Sequence, residues 1–221
     1  MRLLRGGALA PEDTRRILSW VAENDEAAIR VWQPPRQVVF GRLDATEPGY
    51  ETAVERAASH GFETLERRVG GRAVAYTGRT VAFARYEPID DARRGIGGRY
   101  EALSEDVARA LDAVGVDARP GEPQDSFCPG EHSLQDGGKL VGLAQRVTEG
   151  AAVTAGVLVL DGHEAIGRVL ADVYDALAVP FDPDSVGSVQ RSGGDVDAVL
   201  PTLETALARG TSPSVLHLRQ I

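Results

Sequence analysis

Lysine is almost missing from this 221-residue sequence. Of its 24 basic residues only Lys139 is a lysine, and the rest are arginines. Cysteine is equally scarce: Cys128 stands alone, which excludes an intrachain disulfide and fits a reducing, cytoplasmic setting. No apolar run approaches the roughly 18 residues that a membrane-spanning helix needs, so no membrane role is expected. The opening MRLLRGGALAPED has too short an apolar stretch for a secretory signal. Positive charge is also in deficit, with 24 basic against 33 acidic residues and a formal net charge of -9. Nucleic-acid binding is therefore disfavoured, because its usual footprint is a basic surface. An acidic surplus with hardly any lysine resembles the composition of salt-adapted proteins, which speaks to habitat rather than chemistry.

What is present reads as a mixture of strands and helices. The 43% hydrophobic and 26% charged content is enough for one sizeable core. We expect a single domain over residues 1–221, with a core at 10–162 and a helical C-terminal part at 163–221. Hydrophobic periodicity and breakers predict helices over Ala10–Asn24, Pro48–His60, Tyr100–Val114, Glu164–Ala178 and Val196–Arg209. They predict strands over Ala28–Trp32, Gln37–Gly41, Glu63–Val69, Ala73–Tyr76, Thr80–Tyr86, Lys139–Val147 and Ala151–Leu160. The last of these is nearly all apolar, as expected for a strand buried on both faces. Strands and helices do not alternate regularly, so the expected class is α+β, a central mixed sheet flanked by helices.

Two glycine-rich stretches could carry chemistry. In Arg67-Arg68-Val69-Gly70-Gly71-Arg72-Ala73, adjacent glycines let backbone approach a ligand, and the arginines could meet a phosphate or carboxylate. The same residues read equally well as a bulged turn with solvated arginines. Neither a Walker loop nor a dinucleotide fingerprint has the required glycine spacing here. In Gly137-Gly138-Lys139-Leu140-Val141-Gly142-Leu143-Ala144-Gln145-Arg146, the small residues Gly142 and Ala144 leave room beside a strand for a flat ligand. Lys139 can reach over that space. A lysine is a compact point charge that approaches one oxygen closely, a task that the planar arginine fork performs differently.

The second stretch resembles the K-[LIV]-x-G-x-A-[QY]-R signature of the lipoate–protein ligase A family, in the biotin/lipoate ligase superfamily. Trp32, Pro34-Pro35 and Gln37–Arg42 are similar to its opening, Gly70-Gly71-Arg72-Ala73-Val74 to its double-glycine core, and Phe127–Glu131 to the loop before its lysine. The resemblance covers roughly residues 28 to 160. It implies a biotin/lipoate ligase-like catalytic domain that attaches a lipoyl or octanoyl group to a carrier lysine through an acyl-adenylate. ATP, Mg²⁺ arriving with ATP, and lipoate or octanoate would be its small molecules. Lipoyl carrier domains of 2-oxoacid dehydrogenases or the glycine cleavage H protein would be its partners. Carried over by position, Lys139 would bridge the acyl carbonyl and the α-phosphate, a fixed cation where charge develops. Arg67, Gly70, Gly71, Arg72 and Ala73 would line the acyl and phosphate channel, and Gly142 and Ala144 would border the pocket.

Several positions depart from that pattern. Val69 stands where the family has Ser or Thr, and Arg72 is the variant typical of its acyltransferases. Tyr76-Thr77-Gly78-Arg79 lacks the usual His, Asp and Asn, and Asp44 stands near a missing Gln. The chain also ends without the accessory C-terminal domain of long ligases, so a separate small subunit is expected if adenylation is performed. Some family transferases use a cysteine on the loop before the lysine strand to take octanoate from acyl carrier protein. Cys128 is therefore a second catalytic candidate, activated by a neighbouring Lys139 or His132; otherwise it is a loop cysteine without a role. A carrier-binding paralogue without chemistry is the third reading. No His/Cys/Asp set has metal-ligand spacing, so no resident metal is expected.

Overall fold

The apolar run Ala151–Val159 becomes the middle of a twisted mixed sheet, as its lack of alternation predicts. The computed structural model describes residues 1–6, 11–67 and 70–221. In chain order its elements begin β1 (Arg2–Arg5), α1 (Pro11–Asn24), β2 (Ala28–Trp32), β3 (Gln37–Phe40), α2 (Tyr50–Ser59), β4 (Glu63–Glu66), β5 (Val74–Tyr76) and β6 (Thr80–Pro88). They continue with α3 (Ile96–Ala113), β7 (Arg119–Pro120), β8 (Ser133–Gln135), β9 (Lys139–Thr148), β10 (Ala151–Val159), α4 (His163–Ala176), α5 (Val199–Ala208) and β11 (Ser214–His217). Eight strands form the main sheet in the order β11-β1-β2-β6-β10-β9-β8-β7, and a smaller sheet runs β4-β3-β5. β1 pairs parallel with both neighbours, whereas every other pair in the main sheet is antiparallel. The architecture is α+β.

Period-two alternation divides the side chains of the main sheet between two faces. Ile29, Val31, Val81 and Phe83 face a core shared with α3 and α5, through Leu103, Val107, Leu111, Leu203 and Leu207. On the opposite face Ala28, Ala84, Tyr86 and Val153 pack against Ile17, Leu18 and Val21 of α1. Further along that face α2, α4 and the small sheet share a third cluster, centred on Phe40, Ala57, Val173 and Tyr174.

The structure departs from the sequence expectations in a few places. The strand expected over Glu63–Val69 is observed as Glu63–Glu66; Arg68 and Val69 lie outside the described residues, as does Ala10 at the head of the first helix. α3 begins four residues earlier than predicted, at Ile96, capped by Gly95 in the left-handed region. Gly97 and Gly98 in its first turn disguise the start, since glycine disfavours helix. β1, β8 and β11 were not expected; each is three or four residues long, too short to show a period. β11 also adds a strand to the part read as helical.

Candidate active site

Lys139 opens β9 directly after a two-glycine turn. Gly137 and Gly138 have φ of 61° and 150°, a path suited to glycine. A Cβ on Gly138 would stand 2.6 Å from Gly187 N. This close approach lets Gly187 N–H donate to the Lys139 carbonyl at 3.0 Å and fixes the start of the strand. The pairing register between β8 and β9 shifts at Leu134/Gln135, next to the lysine. A Cβ on Gly142 would come within 3.3 Å of Lys139 Cε, so the bare strand at Gly142 is what admits the lysine stem.

The ammonium itself is buried and turned back onto the preceding loop. Lys139 is 1% exposed. Its Nζ donates to both oxygens of Glu122 (2.8 and 3.1 Å), to Phe127 O (2.9 Å) and to Cys128 O (3.0 Å), with the Phe127 ring 5.0 Å away. Three N–H bonds thus serve a carboxylate and two carbonyls, and the cation is fully satisfied. Glu122 also accepts from Ser126 Oγ and Ser133 Oγ.

Cys128 holds a left-handed backbone, φ 41°, uncommon for a residue with a side chain. Its N–H donates to Tyr174 Oη at 2.6 Å, and Tyr174 in turn donates to Ala73 O at 3.1 Å. Tyr174, on α4, is fully buried, and burial pushes its phenol far above the ordinary range, so it stays a protonated donor. Through this hydroxyl the cysteine loop is tied to the double-glycine segment. The sulfur accepts from Arg67 Nη2 and from Arg72 N, each at 3.4 Å. Arg67 Nη2 also donates to Arg72 O, while Arg67 Nε, buried, has no hydrogen-bond partner among the described residues.

The double glycine is built to let this sulfur in. Gly71 has φ 91°, and a Cβ there would lie 2.8 Å from Arg67 Nη2 and 2.9 Å from Cys128 Sγ. A Cβ on Gly41 would lie 1.9 Å from Gly71 O, so the residue that follows β3 and the double-glycine turn touch backbone to backbone. Arg72 points away from the sulfur: its Nη1 donates to Glu47 (2.8 Å) and Asp44 (3.4 Å). Asp44 is fully buried and accepts from Gly41 N at 2.8 Å; burial raises its carboxyl above the usual range, against the pull of these donors.

Five candidates therefore meet around one point: Arg67, Gly71, Arg72 through its backbone, Cys128, and Lys139 through the Cys128 carbonyl. Ala73 belongs to the same frame through its bond to Tyr174. Gly70 stands beside it, where a Cβ would meet nothing within 4 Å among the described residues, and Gly142 lies against the lysine stem. Ala144 is further along β9 and exposed. His132 is elsewhere, stacked on Tyr100 with ring centroids 3.9 Å apart, so the cation beside the sulfur is Arg67 rather than His132. The sequence reading missed Glu122 and Tyr174. Glu122 sits in a Pro- and Gly-rich loop and carries no period, and Tyr174 reads as one more apolar position of a helix.

The family model described as lipoyl protein ligase A/B catalytic domain matches residues 12–201. An octanoyl-[GcvH]:protein N-octanoyltransferase of Geobacillus kaustophilus is 28% identical over 145 residues, 65% of this chain and 51% of that protein. The chain spans about half the length of the transferases it matches in this way. A lipoate-protein ligase A subunit 1 of Thermoplasma acidophilum is 25% identical over 198 residues, 88% of this chain and 74% of that one. In fold, a T. acidophilum protein solved with lipoic acid bound superposes with a TM-score of 0.70 at 18% identity, covering 98% of this chain and 88% of its own.

Proposed function

The chain belongs to the lipoyl protein ligase A/B catalytic domain family, and from that premise we propose that it transfers an octanoyl or lipoyl group to a carrier lysine through a thioester on Cys128. The observation that carries this reading is the setting of the sulfur: Sγ lies 3.4 Å from both Arg67 Nη2 and Arg72 N, on a residue held in a strained backbone. A donor of the kind named for the Geobacillus relative, octanoyl-GcvH, presents its acyl group as an amide on a lysine. An acyl carrier protein would present it as a thioester. In either case the Cys128 sulfur attacks the acyl carbonyl, a carbon–sulfur bond forms, and the donor's amine or thiol departs with a proton. The amine of the acceptor lysine then attacks the Cys128 thioester. An amide forms, and the sulfur leaves as the thiol. Arg72 N–H and Arg67 Nη2–H, each 3.4 Å from the sulfur, are the donors placed to serve the oxyanion of either step. Lys139 holds the peptide of Cys128 through its carbonyl.

The test mixes the protein with octanoyl-GcvH or octanoyl-acyl carrier protein and an acceptor lipoyl domain, without ATP, and follows intact masses. Octanoate should appear on Cys128 and then on the acceptor, and Cys128→Ser should abolish both. Modification that needs ATP and free acid, and survives Cys128→Ser, would sink the reading. It would install the second one: an adenylate-forming ligase, acting with ATP, lipoate or octanoate and a separate accessory subunit. The overlap with the T. acidophilum ligase subunit, 88% of this chain and 74% of that one, favours that alternative. Binding of carrier domains with no modification in either mixture would indicate a role without chemistry.

A further inference from the structure

Lys139 is the cation a family ligase would aim at a phosphate, yet here each of its N–H bonds is already committed. Two of its four acceptors are the oxygens of Glu122. The other two are backbone carbonyls of the loop that carries the sulfur. Carbonyls are neutral and fixed by the chain. Glu122 is the group that cancels the charge, and it competes for the donors a phosphate oxygen would need. Its carboxylate is itself held by Ser126 and Ser133, so it does not swing free. The lysine is buried at 1% exposure, where little solvent screens the pairing.

We propose that Glu122 is a specificity-determining residue: by neutralising Lys139 it turns the site away from phosphate-bearing acyl donors such as an acyl-adenylate and toward donors that carry no phosphate at the reacting carbon. Glu122 acts through Lys139 and touches no reacting atom, so it is a positioning residue. The inference rests on the acyl-transfer reading for its biological sense, but its test does not. AMP is the probe, and adenosine, which lacks the phosphate, is the control. Both are titrated calorimetrically into the wild-type protein, Glu122→Gln, Glu122→Asp and the double variant Glu122→Gln/Lys139→Met, with circular dichroism as the fold check.

Glu122→Gln keeps an amide oxygen for the two serines and removes the negative charge that cancels the ammonium, which keeps its two carbonyl partners. AMP should bind about tenfold or more tightly than to the wild type, adenosine should be unaffected, and the gain should shrink at high salt. Glu122→Asp retains the charge but withdraws it by one methylene, so an intermediate gain is expected even if the glutamine variant folds poorly. In the double variant the gain should vanish. The proposal is overturned if neither single variant binds AMP more tightly, if no AMP binding is measurable in any variant, if adenosine gains equally, or if the gain persists without Lys139. A wild-type protein that moves no acyl group from octanoyl-GcvH or octanoyl-acyl carrier protein would defeat the acyl-transfer reading while leaving this comparison of affinities to stand or fall by itself.

Discussion

Tyr174 bonds to two segments distant in sequence, Ala73 and Cys128, with a single hydroxyl. Its removal tests whether the cysteine's backbone is held or merely rests where it is. Tyr174→Phe keeps the ring in its apolar pocket but leaves a partly buried N–H and a buried carbonyl without their partner. Each such loss costs about 1–3 kcal/mol, so urea unfolding should show a drop of that order. The rate of Cys128 acylation should fall further than stability alone explains. If acylation is unchanged while stability drops, the hydroxyl is structural only. Gly71 makes the complementary point at the same scale. Both its φ of 91° and the sulfur 2.9 Å from a would-be Cβ require glycine, so the double glycine is explained by what stands against it.

At the scale of elements, one carboxylate joins three of them. Asp106 of α3, 1% exposed, accepts from Arg85 of β6, from Arg109 one turn along its own helix, and from Arg209 just past α5. Arg85 also donates to Leu207 O at 2.9 Å and is itself 2% exposed. Asp106→Ala strands a buried guanidinium, and a loss of about 3–5 kcal/mol is expected from chemical denaturation. Asp106→Asn, which retains an acceptor, should lose less. None of this cluster was singled out in the sequence, because Asp106 occupies a helix position that charge alone assigns to the surface. Long elements with a strong apolar signal, the helical period of α3 and the unbroken apolar run of β10, were legible. So was the order of the glycine pair, the cysteine and the lysine. What the sequence hid were contacts across the fold: Glu122 under Lys139, Tyr174 against Cys128, and the register shift beside β9. Each depends on loops or helices meeting at distances that no local pattern encodes.

At the scale of the whole molecule, all five tyrosines sit where burial raises their phenols. Tyr76 and Tyr86 are pushed up to about 12. A raised folded-state value means that the unfolded chain ionises first, so the stability these groups supply is complete below about pH 10 and is lost as pH climbs through about 12. Ultraviolet titration should therefore show Tyr76 and Tyr86 still protonated at pH 10. Above that, the phenolate of the buried pair should appear together with loss of the circular dichroism signal; its appearance in a protein that keeps that signal would contradict their burial. The same global view gives the β1–β11 pairing a meaning for assembly. Arg2 lies opposite Ser214, so one edge of the main sheet is completed by residues at opposite ends of the described chain. During synthesis β1 waits beside β2 without its outer neighbour until β11 has been made, so this margin of the sheet closes only through a pairing of very long sequence separation.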